Sequence, residues 1–179
     1  MYKDLDIVIP CYNEEKRIDL SEYAGLLREP SLGFLFVDDG STDATQVELE
    51  KLVGLDPRVR VIELSRNFGH QAAISAGLDL ADADVVITMD GDGEHPPSLI
   101  LDMLKLAEAG NDIVIAQRQE AQKASWFKHW TSDIFYKLLN KIGDTKIAPG
   151  AADFRLITRP VLESLRKFRE YHRFLRGLF

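Results

Sequence analysis

The sequence predicts an α/β fold in which a mostly parallel sheet is flanked by helices. Short apolar runs alternate with helical segments over residues 1–117, a spacing typical of parallel strands joined by crossover helices. The run Val85–Met89 is apolar, as expected of a strand that is buried on both faces. Five strands are predicted, at Leu5–Pro10, Phe34–Val37, Val59–Leu64, Val85–Met89 and Ile113–Ala116.

Helices are predicted between these strands. Ser41 or Thr42 is expected to cap the helix that ends at about Gly54, and Asp43 is expected to lie in its first turn. Hydroxyls and acids suit the exposed backbone N–H groups at a helix start. Gly110-Asn111 is expected to end the helix Ser98–Ala109. The four helices are Ile18–Arg28, the segment from the Ser41 or Thr42 cap to about Gly54, Gln71–Leu80 and Ser98–Ala109.

The pattern changes after Ala116. Gln117–Ala124 is polar, and Ser125–Ile142 is predicted to be an amphipathic helix with a broad apolar face. Pro149–Arg155 is expected to be a small-residue loop that runs into an extended segment. A short helix, Pro160–Phe168, is expected to follow it.

Composition and charge limit the classes of protein to be considered. The 179 residues fit one domain, and the single cysteine, Cys11, excludes an internal disulfide and favours a reducing, cytoplasmic setting. No run of ~18 apolar residues occurs, so no membrane-spanning helix is predicted. The net charge of −7 argues against a nucleic-acid partner. Arg155–Phe179 has seven basic and two acidic residues, which suits either an anionic membrane surface or plain solvent.

Three acids follow the fourth predicted strand. Asp90, Asp92 and Glu94 alternate with glycines, which allow sharp turns and close backbone approach. Carboxylates this close repel one another unless a cation lies between them, and oxygen ligands suit Mg²⁺ or Mn²⁺. An EF-hand is excluded because His95 stands where that loop needs glycine, and Leu101 where it needs glutamate. The motif therefore predicts a divalent metal site rather than a solvated acidic turn.

Polar clusters follow two other predicted strands. Tyr12–Glu14 comes after the first strand, and Asp38-Asp39 comes after the second. Because the carboxyl ends of parallel strands lie at one edge of a sheet, these clusters and the metal site are expected to meet there. An acid such as Asp39 suits hydrogen bonds to ribose hydroxyls or base N–H groups, and the metal suits a diphosphate. The edge therefore has the chemistry of a nucleoside-diphosphate pocket, and the sequence lacks the glycine motifs of dinucleotide sites and P-loops.

Taken in order along the chain, these motifs resemble the family-2 glycosyltransferases of the GT-A fold, which has a Rossmann-like, mostly parallel sheet. The motifs that carry the resemblance are Ile9–Glu15, Val37–Asp43, Arg66–Gly69, Met89–Pro97 and Asp153–Leu156. The motifs Met89–Pro97 and Asp153–Leu156 resemble those of the polyprenyl-phosphate branch of that family. This branch includes dolichol-phosphate mannosyltransferases and bacterial undecaprenyl-phosphate glycosyltransferases. The resemblance covers nearly the whole chain.

The resemblance implies roles for individual residues. The positions that match nucleotide-binding ones are Pro10, Tyr12, Glu14, Val37, Asp39, Asp90 and Gly91. Those that match metal ligands are Asp90, Asp92 and Glu94, the last standing where many members carry glutamine. Those that match an acceptor-phosphate site are Arg118, Lys128 and Ser132. The residues expected to carry catalysis are Asp92, Arg118, Lys128 and Asp153.

The activity that this resemblance implies is inverting transfer of a sugar from a nucleoside-diphosphate sugar to a dolichyl or undecaprenyl phosphate, at the cytoplasmic face of a membrane. The acceptor phosphate is already anionic at neutral pH, so the reaction needs no strong base. Residues 1–117 are expected to be the nucleotide-binding part of a single domain and residues 118–179 the acceptor-binding part. Members of the branch usually continue into membrane helices, so the chain is expected to be a fragment or a member whose partner supplies the membrane part. A homo-oligomer is expected as another possible assembly.

Two alternatives remain open at this point. One is a transferase that acts on a saccharide hydroxyl with Asp153 as its base, although Asp153 equally well serves to hold Arg155. The other is a non-catalytic module that binds a nucleotide-sugar. His70 and His95 are expected to be structural hydrogen-bonding residues, and Cys11 a small buried side chain. The residues do not reveal which sugar is carried, or whether the donor contains GDP or UDP.

Overall fold

A single sheet organises the part of the chain that the computed structural model describes, which is residues 2–18, 31–91, 95–117 and 151–168. Six strands within these ranges follow the order β3-β2-β1-β4-β6-β5. The strands are β1 Leu5–Cys11, β2 Leu32–Asp38, β3 Val59–Glu63, β4 Val85–Thr88, β5 Ile113–Gln117 and β6 Ala151–Thr158. The helices are α1 Thr45–Leu55, α2 His70–Leu80, α3 Leu99–Glu108 and α4 Arg159–Arg166.

The sheet is mostly parallel, which confirms the predicted fold class. Strand β1 pairs in parallel with β2 and β4, and β2 pairs in parallel with β3. Strand β6 lies between β4 and β5 and is antiparallel to both. The carboxyl ends of β1, β2, β3 and β4 therefore share one edge of the sheet, as predicted for the polar clusters.

Strand β6 is the part of the sheet that the sequence predicts least well. The expected loop over Pro149–Arg155 is wrong from Ala151 onward, where the extended segment is already a ladder strand. Its apolar residues Phe154, Leu156 and Ile157 are buried in the two cores. The strand thus joins the predicted acceptor-binding part to the sheet of the predicted nucleotide-binding part, and it brings Asp153 close to the end of β4.

Both faces of the sheet are covered, because alternate residues of its strands point to opposite sides. Helices α1 and α3 cover one face, over a core that includes Ile7, Phe34 and Ile100. Helices α2 and α4 cover the other face, over a core that includes Val8 and Leu162. The buried strands explain why the apolar runs of the sequence show little alternation with polar residues.

Gly77 allows α2 to lie unusually close to the sheet. A Cβ atom at this position would stand 2.3 Å from Val8 Cγ1 and 3.1 Å from Val37 Cγ2. A larger residue would push the helix away from β1 and β2, and it would shift the start of the helix together with its end. The position of His70, the first residue of α2, therefore depends on this contact.

The predicted helix limits are confirmed to within a few residues where the structure describes them. Gly110 ends α3 with a φ of 99°, and the backbone N–H and the side chain of Asn111 both donate to the Leu106 carbonyl. The predicted helix Ile18–Arg28, beyond Ile18, and the predicted helix Ser125–Ile142 lie outside the described residues.

Candidate active site

A cleft of about 440 Å³ opens at the carboxyl edge of the parallel strands. The residues that line it are Pro10, Cys11, Tyr12, Glu14, Asp39, Asn67, Gly69, His70, Ala73, Asp90, Gly91 and Asp153. They come from the ends of β1, β2 and β4, from the loop before α2, from the first turn of α2 and from β6. One end of the cleft is formed by loops 11–15, 38–45 and 66–69, here called the interlocked end. The other end holds Asp90, Asp153 and His70, with the buried His95 bonded to Asp90, and is here called the acidic end.

The first two loops of the interlocked end are joined by side chains. The Asn13 backbone N–H donates to Ser41 Oγ (2.9 Å), and the Thr42 N–H donates to Asn13 Oδ1 (2.8 Å). Glu14 N–H donates to Thr45 Oγ1 (2.8 Å) in the same way. Asn13 has a φ of 56°, a left-handed conformation that asparagine tolerates better than most residues. These bonds hold the loop that carries Tyr12 and Glu14 against the loop that follows β2.

These bonds also explain why the predicted helix cap is wrong. Helix α1 begins at Thr45, and its capping residue Ala44 makes no side-chain cap. Ser41 and Thr42 are already engaged with Asn13, so their hydroxyls are not at the helix end. Asp43 lies before the helix rather than in its first turn, and its Oδ1 accepts the Thr45 N–H (3.0 Å).

Asp39 fastens the third loop of this end. Its Oδ1 accepts the Phe68 N–H and its Oδ2 accepts the Gly69 N–H, each at 2.8 Å. Gly40 has a φ of 68°, and a Cβ atom there would meet the Arg66 backbone at 2.4 Å, so this turn needs glycine. The carboxylate predicted to bind a base or ribose is therefore also the residue that positions the loop before α2.

Asp90 is held from two directions at the acidic end. His95 is buried, its ring packs on Phe154 with centroids 5.1 Å apart, and its Nε2 lies 3.0 Å from Asp90 Oδ2. His70 Nε2 lies 3.2 Å from Asp90 Oδ1. The hydrogen bond with His95 lowers the pKa of Asp90 against the effect of burial, and the nearby His70 also lowers it. His95 is thus the structural hydrogen-bonding residue that the sequence predicts.

Asp153 occupies the opposite wall and is itself buried. Its Oδ1 accepts a hydrogen bond from the buried Arg155 (2.8 Å), as one of the two interpretations of the sequence expects. Its Oδ2 faces Gln71 Nε2 at 3.4 Å and His70 Nε2 at 3.5 Å. A base role for Asp153 stays a prediction, but both of its oxygens already have protein neighbours.

His70 is the site residue that the sequence does not single out. Its Nε2 faces both Asp90 and Asp153, whereas the residue pattern predicts only a structural hydrogen-bonding histidine. A usable signal is present, because His70 follows the end of the third strand and opens a helix at the same sheet edge as the acids. Its closeness to β6 could not be foreseen, because the place of that strand in the sheet was not predicted.

The other predicted nucleotide-binding residues fall into two groups. Pro10, Tyr12, Glu14 and Gly91 line the cleft together with Asp39 and Asp90. Val37 is fully buried beneath α2, so its side chain does not reach the cleft.

Cys11 is buried as predicted. Burial raises the pKa of its thiol to about 12, and the negative charges of Asp38 and Glu14 raise it further.

The residues present suit a divalent cation only in part within the described ranges. Asp90 Oδ1 is buried and has no hydrogen-bond partner there, as expected of an oxygen meant for a cation or a substrate. No group of three potential ligands with metal-binding geometry occurs among the described residues. The other two predicted ligands, Asp92 and Glu94, lie outside them, as do Arg118, Lys128 and Ser132 of the predicted acceptor-phosphate site.

The described part of the basic carboxyl-terminal segment points its arginines into the domain. Arg155 pairs with Asp153, and Arg159 pairs with Asp82 (2.9 Å). Arg166 donates to the Leu78 carbonyl near the end of α2. Arg155 is buried, whereas the pair of Arg159 with Asp82 lies at the surface. Residues 169–179 lie outside the described structure. None of the helices described here is both long and apolar enough to cross a bilayer.

Comparison with known proteins agrees with this architecture. The mannosyltransferase PcManGT of Pyrobaculum calidifontis, solved in complex with GDP-Man and Mn²⁺, superimposes with a TM-score of 0.62 at 21% identity. The match covers 92% of this chain and 46% of that one. At this identity the likeness shows the fold, and it confirms the predicted GT-A class.

Two curated relatives match over nearly the whole chain. An uncharacterised glycosyltransferase of Synechocystis sp. is 37% identical over 98% of this chain and 57% of its own length. The bactoprenol glucosyl transferase of Shigella phage SfV is 35% identical over 97% of this chain and 58% of its own length. The chain therefore spans a little more than half of each relative.

The family comparison covers both ends of the cleft. The family model described as "Glycosyl transferase family 2" matches residues 6–166, which include every described residue of the cleft. This match confirms the resemblance that the motifs carry. The chain belongs to glycosyl transferase family 2.

Proposed function

We propose that this chain is the catalytic part of a glycosyltransferase that moves a sugar from a nucleoside-diphosphate sugar to a polyprenyl phosphate. The observation that carries the proposal is the cleft itself, in which an interlocked end suited to a nucleoside meets an acidic end suited to a metal-bound diphosphate. The relative named bactoprenol glucosyl transferase supports a lipid-phosphate acceptor.

The donor would lie across the cleft with its nucleoside at the interlocked end. Tyr12 is 44% exposed there, enough to stack on a base, and Asp39 and Glu14 offer hydrogen-bond acceptors. Asp39 is already bonded to two backbone N–H groups, but each carboxylate oxygen can accept a further bond. The diphosphate would then reach Asp90 and the adjacent backbone of Gly91. The same contacts would serve GDP or UDP.

Asp90, Asp92 and Glu94 would hold Mg²⁺ or Mn²⁺ at the acidic end. A bound divalent ion supplies neutralisation of the negative charge that develops on the leaving diphosphate. Asp90 contributes an oxygen that has no hydrogen-bond partner within the described residues, so it needs no protein bond to be broken before it binds. Of the two metals, Mn²⁺ has the more direct support, since PcManGT was solved with it.

The acceptor would approach from the side of residues 118–150. In the reaction, a phosphate oxygen forms a bond to the anomeric carbon while the bond from that carbon to the diphosphate oxygen breaks. The electron pair leaves with the nucleoside diphosphate, and the configuration at carbon is inverted. Arg118, Lys128 and Ser132 would hold the acceptor phosphate through charge-assisted hydrogen bonds, and no proton has to be removed.

A transferase acting on a saccharide hydroxyl is the second candidate. It would need Asp153 as a base, and Asp153 does line the cleft. The buried contact with Arg155 and the approach of His70 and Gln71 to its other oxygen favour a fixed charge over a proton acceptor. A non-catalytic nucleotide-sugar module is disfavoured because Asp90 keeps an oxygen without a hydrogen bond inside the described structure.

The acceptor chemistry implies a location. A polyprenyl phosphate stays in a bilayer, so the protein would work at the membrane surface, on the cytoplasmic face where nucleotide-sugars are made. Basic residues from Lys167 to Phe179 would be the ones that face anionic lipid, because Lys167 is exposed, whereas Arg155 and Arg166 have partners inside the domain. A membrane segment, a second copy or a membrane partner would complete the assembly.

The proposal is tested by a transfer assay with labelled UDP- and GDP-sugars. Each donor is offered with undecaprenyl phosphate, with the matching alcohol undecaprenol, and with a soluble saccharide. We expect label only in the lipid phosphate, Mn²⁺ or Mg²⁺ to be required, and excess EDTA to stop the reaction. Transfer to the saccharide but not to the lipid phosphate would favour the second candidate, and donor binding without any transfer would favour the non-catalytic module.

A further inference from the structure

The half-exposed His70 stands between the two carboxylates of the acidic end. We propose that His70 is a positioning residue whose imidazole ring, standing between Asp90 and Asp153, keeps the two carboxylates at a fixed separation, so that each keeps its place during sugar transfer. The inference rests on the proposed function for its kinetic part. It concerns a residue to which neither the sequence motifs nor the family match gives a role.

The geometry singles out one oxygen of each acid. Asp90 Oδ2 is bonded by the buried His95, and Asp153 Oδ1 is bonded by the buried Arg155. The remaining oxygens, Asp90 Oδ1 and Asp153 Oδ2, both lie within 3.5 Å of His70 Nε2. Each acid is thus anchored on its outer side by a buried partner, and the inner oxygens meet at one nitrogen.

Electrostatics explains why this corner needs a donor. Two carboxylate oxygens that share a partly buried corner repel each other, and the repulsion is stronger than in water because the local dielectric is lower. The imidazole ring separates the two oxygens, and a proton on Nε2 directs the positive end of the N–H dipole into the space between them, so the arrangement does not depend on the histidine being charged. Gln71 also approaches Asp153 Oδ2, at 3.4 Å, but it does not line the cleft.

The position of His70 is fixed from the interlocked end. Asp39 accepts the N–H groups of Phe68 and Gly69, the two residues immediately before it. Helix α2 then runs back across the sheet and lies close to β1 at Gly77. The imidazole therefore stands between a loop fixed by Asp39 and a helix packed on the sheet, and both hold it in place between the two acids.

This role predicts a particular kinetic signature. His70 does not have to touch the donor to act, so its loss should leave donor binding nearly intact and lower the rate of transfer. An error of about 1 Å in the position of a reacting group can cost about 100-fold in rate. We therefore expect His70→Ala to lower kcat by up to about 100-fold while the KM for the donor changes by less than about 3-fold.

The conservative variant His70→Gln separates positioning from simple packing. The amide nitrogen of glutamine is as many bonds from Cα as Nε2 of histidine, so it can donate from nearly the same place. We expect His70→Gln to recover most of the lost kcat. Leu80→Ala is the control in the same helix, because Leu80 is 59% exposed at the far end of α2, and it should match the parent.

Crystal structures of His70→Ala and His70→Gln provide a readout that does not depend on the acceptor. In His70→Ala we expect the carboxylates of Asp90 and Asp153 to turn apart or a water or cation to enter between them, and in His70→Gln we expect their places to be kept. If the parent transfers nothing to polyprenyl phosphate, the proposed function fails, and these two structures still decide the positioning role.

Three results would overturn the inference. One is a His70→Ala variant with the kcat of the parent and unmoved carboxylates. Another is an equal loss of kcat and thermal stability in His70→Ala and His70→Gln, which would indicate a packing role. The third is coupling to an imidazole nitrogen in the electron paramagnetic resonance spectrum of bound Mn²⁺, lost in His70→Ala, which would make His70 a metal ligand.

Discussion

At the interlocked end of the cleft, side chains of loop 38–45 accept backbone N–H groups of the two neighbouring loops, 11–15 and 66–69. At the acidic end, two carboxylates lie on either side of a half-exposed histidine. Ser41, Thr45 and Asp39 all accept backbone N–H groups at 2.8–2.9 Å. Asp90 Oδ1, by contrast, is buried and has no hydrogen-bond partner among the described residues. The loops of the interlocked end are joined by their own side chains, whereas the acidic end keeps a carboxylate oxygen without a hydrogen bond in the described part of the chain.

This difference separates two kinds of sensitivity. Changes at the interlocked end should reduce stability together with nucleotide affinity, since the same bonds shape the loops and the pocket. Changes at the acidic end should reduce catalysis with little loss of stability, because the mutual repulsion of the close carboxylates offsets part of what their contacts with His95 and Arg155 contribute to folding. The following predictions go from the largest expected effect to the smallest.

Asp90→Asn should nearly abolish sugar transfer. The amide keeps the shape of the side chain but removes the charge that would hold a divalent ion, and losses of about 100-fold or more are expected when transition-state charge stabilisation is removed. Initial rates and thermal unfolding of the variant provide the test. Asp102→Asn is the matched control, because Asp102 is an exposed acid on the surface of α3, where it pairs with Lys105 away from the cleft. Near-parent activity in Asp90→Asn would place the catalytic charge elsewhere.

Asp39→Asn should affect both binding and stability. One carboxylate oxygen becomes an NH₂ group that must face a backbone N–H of Phe68 or Gly69, so the loop before α2 loses a bond and gains a repulsion. We expect a loss of about 1–3 kcal/mol in the free energy of unfolding and a similar loss in nucleoside-diphosphate affinity. Denaturant titration and calorimetry measure the two quantities. A loss of affinity with unchanged stability would mean that the loop bonds contribute nothing.

Cys11 should make folding less favourable at high pH. Its pKa is about 12 in the folded protein against an ordinary value of 9.0, so the unfolded chain releases the thiol proton first. Stability therefore falls as pH rises from about 9 to about 12, by up to ~1.4 kcal/mol per pH unit, and this contribution is constant below that window. The measurement is the difference in unfolding free energy between the parent and Cys11→Ala as a function of pH. A difference that stays constant across the window would show that the thiol does not titrate this way.

Thr45→Val should have the smallest effect. The change preserves the shape of the buried side chain and removes the oxygen that accepts the Glu14 N–H. We expect a loss of about 1 kcal/mol in unfolding free energy, with the transfer rate at saturating donor close to that of the parent. A large drop in that rate with no change in stability would contradict the division between the two ends.

The sequence predicted the sheet edge and most of the residues that meet there, because strand ends and turn residues are local features. It could not predict that Asp39 bonds a loop 29 residues further on, or that Ser41 and Thr42 bond Asn13 instead of capping a helix. Those contacts depend on which loops the strand order brings together. Local signals also describe β6 poorly, since Ala151-Ala152-Asp153 has no strong strand preference. Because the place of β6 in the sheet was not predicted, the position of His70 opposite Asp153 could not be predicted either.

The role of each end is tested most directly by measuring nucleoside-diphosphate affinity with and without Mn²⁺. Calorimetry would compare UDP, GDP and the corresponding nucleosides on the parent and on Asp90→Asn. We predict that Mn²⁺ strengthens diphosphate binding to the parent by at least about 10-fold, which is ~1.4 kcal/mol, and has little effect on nucleosides or on Asp90→Asn. Equal Mn²⁺ dependence in the parent and in Asp90→Asn, or metal-dependent binding of the nucleosides, would contradict the assignment of the acidic end to the metal-bound diphosphate.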